Sequence, residues 1–383
     1  MLRIFLVSSH FSAILQSIYA ASTKQEGDVD VLMIDYPPQK KTLSELIFKT
    51  NTIHAWDAQI NYAPELTDVT NMRPSFTKKL TRKVKQLPII KNLYSFLHKR
   101  YLNDFLKKYE LRIQNDLNTF NKDNVSLHML TKTGLNEVLI KLFPNAEINY
   151  FEHGIGDYMY YEENKIPTGN FYCLFHREFA AYLKDLQHPY HLKIKGFLSG
   201  HSFHNAIQLL EQNKIITSDF NPVESSKKIV FILIESVEIY QVPQNFWTQC
   251  MDIYLNKIKD PENYTYVLKP HPLQSFEAIA CIENYFAEKN LDTIMLNKNK
   301  FINIGAELIF SFFYEKTDFV FSLFSSSIYY FTKLYPSDRI AYYQGYELFK
   351  EYTQNAPKQF VDFFNSLEPI VTKVLTSECK KLN

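Results

Sequence analysis

The chain has 383 residues, about twice the length of an ordinary domain, so two hydrophobic cores of roughly 150 to 200 residues each are expected. Lysine and arginine number 42 against 41 acidic residues, a net charge of +1, which excludes the broad basic field of a nucleic-acid-binding protein and leaves any electrostatic attraction to local patches. The four cysteines, Cys173, Cys250, Cys281 and Cys379, have no CxxC pair and no spacing that closes around zinc, so no metal site is expected and the thiols read as reduced, in a cytoplasmic protein.

From the N-terminus, Ile4-Phe5-Leu6-Val7 after Arg3 is an apolar run too short for a signal-peptide core, and residues 3–7 read as a first buried strand. Polar Ser8, Ser9 and His10 follow it. Ser9 and His10 are therefore candidates to line an acceptor cleft, although a strand-end loop is polar for ordinary reasons as well. Short apolar runs then alternate with longer amphipathic ones, the pattern of parallel sheets flanked by helices. In the first half, strands are expected at 3–7, 29–34, 126–130, 147–151, 171–175 and 191–195; in the second, at 228–234, 264–268, 293–296, 318–324 and 339–343.

Residues 78–108, beginning on Lys78 and ending on Lys108, interleave lysine and arginine with Leu, Ile, Tyr and Phe. They read as solvated amphipathic helices, or as a basic surface resting on anionic lipid at the inner face of the cytoplasmic membrane. No stretch approaches the roughly 20 apolar residues of a membrane span, so a soluble or at most peripheral protein is expected. The polar, turn-rich run 218–226 is the expected linker, giving an N-terminal domain over 1–220 and a C-terminal domain over 226–383. A last helix over about 359–375 is expected to pack back on the first domain.

Three motifs sit at expected strand ends, where polar groups of α/β sheets converge on ligands. The first is Glu152-His153-Gly154, after strand 147–151. A carboxylate there is a candidate general base if it reaches an acceptor hydroxyl, and Gly154 and Gly156 would let the backbone turn tightly beside a ligand. A carboxylate that caps a helix or pairs with a lysine would look the same; Asp157 reads as a loop or cap acid.

The second is Lys269-Pro270-His271-Pro272, in which the two prolines end the strand and hold the histidine. A donating imidazole placed there can meet a phosphate and offset the charge on a departing nucleotide; a turn histidine serving local backbone groups is the plainer reading. The third is Ser325, Ser326 and Ser327, between a strand and a helix, where serines either cap the helix or contact phosphate. Glu235 and Ser236 stand where the edge of a nucleotide often lies in such folds, with Glu235 a candidate partner of a ribose hydroxyl. Glu307 either contacts the donor or starts a helix.

In this order, the three motifs resemble those of bacterial sialyltransferases and polysialyltransferases: an acidic pair then glycine, a His-Pro, and a Ser-Ser/Thr. The resemblance implies the GT-B class, an α/β architecture of two Rossmann-like domains with parallel sheets facing a central cleft. It also implies inverting, metal-independent transfer of a nonulosonic acid (sialic, pseudaminic or legionaminic type) from its CMP ester to a hydroxyl of a bacterial surface glycan, capsule or lipopolysaccharide. No cofactor is implied beyond the CMP-nonulosonic acid co-substrate. The partners are that donor and the glycan acceptor, with no nucleic acid.

Carried over, Glu152 is the base, His271 the phosphate partner and possible acid, Ser325, Ser326 and Ser327 the phosphate-binding serines, and Lys269 and Pro270 their support. His153 departs from the pattern by standing where a second acid is usual, which opens the base role to His153 as well. The same His-Gly is similar to that of CDP-glycerol-type glycerophosphotransferases, the alternative reading. A nucleotide- or glycan-binding protein without catalysis is the third.

Overall fold

The computed structural model describes residues 1–34, 49–62, 107, 109–131, 135–163, 168–212, 227–236, 242, 245–271, 274–296, 305–353, 356–375 and 379–382. The expected linker, Pro272 and, Lys107 apart, the basic run 78–108 lie outside them.

Strand β1 (Leu2–Val7) is buried at every position and apolar at all but Arg3, as suits a strand in the middle of a parallel sheet. It pairs in parallel with β2 (Val29–Ile34) and β4 (Val125–Leu130). With β3 (Ala58–Asn61), β5 (Glu147–Phe151), β6 (Asn170–Tyr172) and β7 (Ile194–Lys195), the sheet order is β3-β2-β1-β4-β5-β6-β7. The second sheet runs β10-β9-β8-β11-β12-β13, formed by β8 (Lys228–Ile234), β9 (Tyr264–Pro270), β10 (Asp292–Met295), β11 (Thr317–Ser322), β12 (Ala341–Gln344) and β13 (Lys380–Lys381).

Contacts divide the chain into two compact units: Met1–Phe151 with Thr168–Asn170, and Glu152–Pro167 with Phe171–Asn383. In the first, Ser9 caps helix α1 (His10–Thr23) by accepting the Ser12 N–H at 3.1 Å, while the Ser12 hydroxyl oxygen accepts the Ser9 N–H at 3.1 Å. This reciprocal box turns the strand into a helix, so Ser9 serves the backbone, and His10 is buried in the first turn. At the other end of α1, where it also reaches the Ala20 carbonyl and the Thr23 hydroxyl, the Arg3 guanidinium grips the buried Asp30 carboxylate, which also meets His54 Nε2 at 2.7 Å. Burial would raise the Asp30 carboxyl, but His54 and Arg3 outweigh it and hold it well below the usual range.

In the second unit, helix α3 (Gly156–Glu162) packs on the last helix, α11 (Lys358–Ile370), and the π-turn Val371–Leu375 packs on α4 (His176–Asp185). These contacts tie residues just after β5 to the C-terminal sheet's unit. The two tryptophans are divided between the units: Trp56, half-buried against Phe5 and His54, and Trp247, buried beside Phe246. Among the described residues no helix is long and apolar enough to cross a membrane.

Candidate functional site

All three motifs fall in the second unit. Glu152 is the first residue after β5 and has no exposed surface. Its Oε2 accepts the Tyr158 hydroxyl at 2.5 Å and its Oε1 the Leu174 N–H at 2.6 Å, with the Tyr330 hydroxyl also in reach. Burial pushes the carboxyl up to about 8, and Asp157 adds to this, while the Tyr158, Leu174 and Tyr330 donors pull the other way. Taking the Leu174 N–H also explains why β6 stops at Tyr172 instead of running to residue 175. The expected strand 191–195 is shortened for a similar reason: the His191 and Lys193 N–H groups close a turn before β7.

His153, the next residue, is exposed. Its N–H and that of Gly154 both donate to Asp157 Oδ2, the latter at 3.1 Å, so the acid in the first turn of α3 clamps the loop. Gly154 does open a turn, its carbonyl accepting the Asp157 N–H at 3.0 Å, but neither Gly154 nor Gly156 has positive φ, so the turn does not draw on glycine's conformational freedom. A Cβ at Gly154 would meet no atom within 4 Å. Gly154→Ala is therefore expected to leave the thermal midpoint within about 2 °C, a change below ~0.5 kcal/mol. A raised KM in that folded variant would report a substrate seated against the loop.

His271 follows β9 and is exposed; its N–H donates to the Ile234 carbonyl at 2.7 Å, extending the ladder by one residue. Lys269 is buried, with Nζ donating to the Pro270 carbonyl at 3.0 Å.

The serine triplet divides its work. Ser325 is the N-cap of α9 (Ser326–Leu334), its Oγ accepting the Ser327 N–H at 3.3 Å. Ser327 Oγ donates to Glu307 Oε1 at 2.6 Å, and Ser326 is half-buried. The Leu323, Phe324 and Ser325 N–H groups, which look like a phosphate nest, converge on Glu235 Oε1 at 3.0, 3.3 and 3.1 Å, together with the Ser322 hydroxyl. They draw the chain out of β11 at Ser322, short of the expected residue 324. The Glu235 carboxyl is raised by burial against these donors, and its Oε2 has no hydrogen-bond partner among the described residues. Glu235 thus holds the loop from inside the protein, while Ser236 beside it is half-buried.

Glu307 is where the motifs meet. It lies in the first turn of α8 (Ala306–Phe310), the helix start that the sequence suggested. Burial raises its carboxyl, and the Ser327 hydroxyl, Lys269 and His153 oppose the rise, which puts one member of each motif within its electrostatic reach. Tyr158 and Tyr330, which close over Glu152, carry no sequence signal. Tyr158 enters on the helix after the motif, and Tyr330 lies a turn into the serine helix from a distant part of the chain.

A family model, Alpha-2,8-polysialyltransferase (POLYST), matches residues 3–344. The chain belongs to the alpha-2,8-polysialyltransferase family. It is a sialyltransferase-type glycosyltransferase, a class that joins a nucleotide-sugar donor to a glycan acceptor. Among solved structures, it resembles a sialyltransferase from Photobacterium damsela, at 12% identity and TM-score 0.50, over 100% of this chain and 80% of that one. It also resembles the UDP-GlcNAc 2-epimerase of Methanocaldococcus jannaschii, at 11% identity and TM-score 0.52, over 99% of this chain and 94% of that one. At such identities the likeness is one of fold, and with the two parallel sheets it gives the α/β GT-B class. No curated protein matches the sequence.

Proposed function

We propose that this polysialyltransferase-family chain moves a nonulosonic acid from its CMP ester to a hydroxyl of a bacterial surface glycan, by single displacement with inversion and without a metal ion. The observation that carries the division of labour is exposure: His153 and His271 are exposed at strand ends, whereas Glu152 is sealed. His153 takes the acceptor proton as the new glycosidic bond forms, and Glu152 anchors the loop that presents it. A carboxyl raised to about 8 is mostly protonated near neutral pH and so is a poor proton acceptor there. His271 donates to the phosphate of the departing CMP, assisted by the Ser325 and Ser326 hydroxyls, with Lys269 as a nearby positive charge. These donors do the charge-neutralising work that a metal does elsewhere.

CMP release from a panel of CMP-nonulosonic acids and from CDP-glycerol, with surface glycan as acceptor, tests the reading. The expected result is release from a CMP-sugar that EDTA does not reduce and that His271→Ala lowers by about 10²-fold or more. Consumption of CDP-glycerol alone would replace it with glycerophosphate transfer. Loss of activity in EDTA, restored by a divalent ion, would remove the metal-free mechanism. CMP binding without turnover of any donor would leave a binding protein.

A further inference from the structure

Away from the motifs, helix α5 (Gly200–Gln212) presents His204, Ile207, Gln208 and Glu211 along one stripe, at the three- and four-residue spacing that lines up side chains on a helix. This stripe faces Ser311, Tyr314 and Glu315 across a pocket of about 160 Å³, with Tyr335 completing the lining. The His204, Tyr314 and Tyr335 rings form one continuous wall: the centroids are 4.9 Å apart for His204 and Tyr335, 5.3 Å for Tyr314 and Tyr335, and 5.8 Å for His204 and Tyr314. Their tilts are between 43° and 58°, so the wall is a faceted concave corner and not a stack.

The charged side chains that line it are both acidic; the nearby Arg339 guanidinium, which donates to the Tyr314 carbonyl at 2.9 Å, is paired with Asp318. Glu211 and Glu315 are exposed and form no ion pair among the described residues. His204 Nε2 is buried with no hydrogen-bond partner among them. Burial holds the His204 imidazole below the usual histidine range, helped by His201 and opposed by Glu315, so near pH 7 it does not neutralise the two carboxylates. An anionic sugar is repelled here, and a neutral one leaves both carboxylates uncompensated. A compact cation satisfies the carboxylates and lies against the negative faces of the rings.

We infer that the pocket between α5 and the 311–315 turn binds a small organic cation, an ammonium group held by the His204–Tyr314–Tyr335 wall and the Glu211 and Glu315 carboxylates. The inference does not rest on the transfer chemistry proposed above, although the Tyr335 hydroxyl donates to the Glu307 carbonyl at 2.6 Å.

Calorimetric titration of the full chain with choline, against its uncharged isostere 3,3-dimethylbutan-1-ol and a sodium chloride control, tests it directly. Choline is expected to bind with one-to-one stoichiometry and the isostere at least tenfold more weakly. Glu211→Gln with Glu315→Gln, both exposed and safe for folding, should weaken choline at least tenfold, as should Tyr314→Leu, which keeps an apolar side chain. Equal binding of choline and the isostere would overturn the inference. So would wild-type affinity in the double glutamine variant, or no choline heat above the salt control at millimolar concentrations.

Discussion

His153→Ala is expected to lower kcat for sialyl transfer by about 10² to 10⁴, the usual yield of a positioned general base, while donor KM stays near the wild-type value. The imidazole is exposed, and the contact that holds this loop, the His153 N–H to Asp157, belongs to the backbone and survives truncation. The fold should therefore be intact by circular dichroism and thermal melting. Added imidazole should restore part of the rate, which a residue with only a packing role would not allow.

Glu152→Gln is the necessary companion. It keeps the shape of a side chain that receives the Tyr158 hydroxyl and the Leu174 N–H, but removes its acid–base function. If folded Glu152→Gln is inactive and His153→Ala retains its rate, the base is the carboxylate and the cover over it opens during turnover.

Stability against pH is the second large effect, and its sign is opposite to that of an ordinary ion-paired carboxylate. In the folded chain the Glu152 carboxyl ionises near 8, against 4.5 for the unpaired group. Below about 4.5 both folded and unfolded states hold the proton, and no difference arises. Between there and about 8 the folded state keeps a proton that the unfolded state has released, so every rise in pH favours unfolding, by roughly 1.4 kcal/mol per pH unit. Above about 8 the loss is complete, on the order of 5 kcal/mol.

Glu235 and Glu307, raised by the same burial, act in the same direction. Urea denaturation at pH 5.5 and pH 9 is expected to show the second unit markedly less stable at the higher pH, with Glu152→Gln removing a large part of the difference. Equal stability at both pH values, or an unchanged difference in the glutamine variant, would mean that the carboxyl is solvated in solution. At the acid end Asp30 works the other way: its depressed carboxyl contributes stability above the unfolded value near 4, lost as pH falls through and below it.

The apolar runs were legible because parallel strands buried on both faces leave unbroken Val, Ile, Leu and Phe segments, and β2, β5 and β8 match the expected bounds. The missed β3, half-buried, and the two-residue β13, exposed, lack that signature. Motif positions could be read for the same reason, since each follows a strand. The direction in which each side chain points could not. Glu152 and His153 are neighbours with opposite exposure, and what turns Glu152 inward is a pair of tyrosines brought in by helices α3 and α9. The serine triplet likewise reads as an anion site until Glu235, from another strand end, is found holding the N–H groups.

Because Trp56 lies in the first unit and Trp247 in the second, the chain carries one tryptophan in each. Trp56→Phe and Trp247→Phe leave a single tryptophan apiece. Two emission curves can therefore separate an acid-sensitive N-terminal unit from an alkali-sensitive C-terminal one without attaching any dye, and would show whether the two melt as one body or in succession.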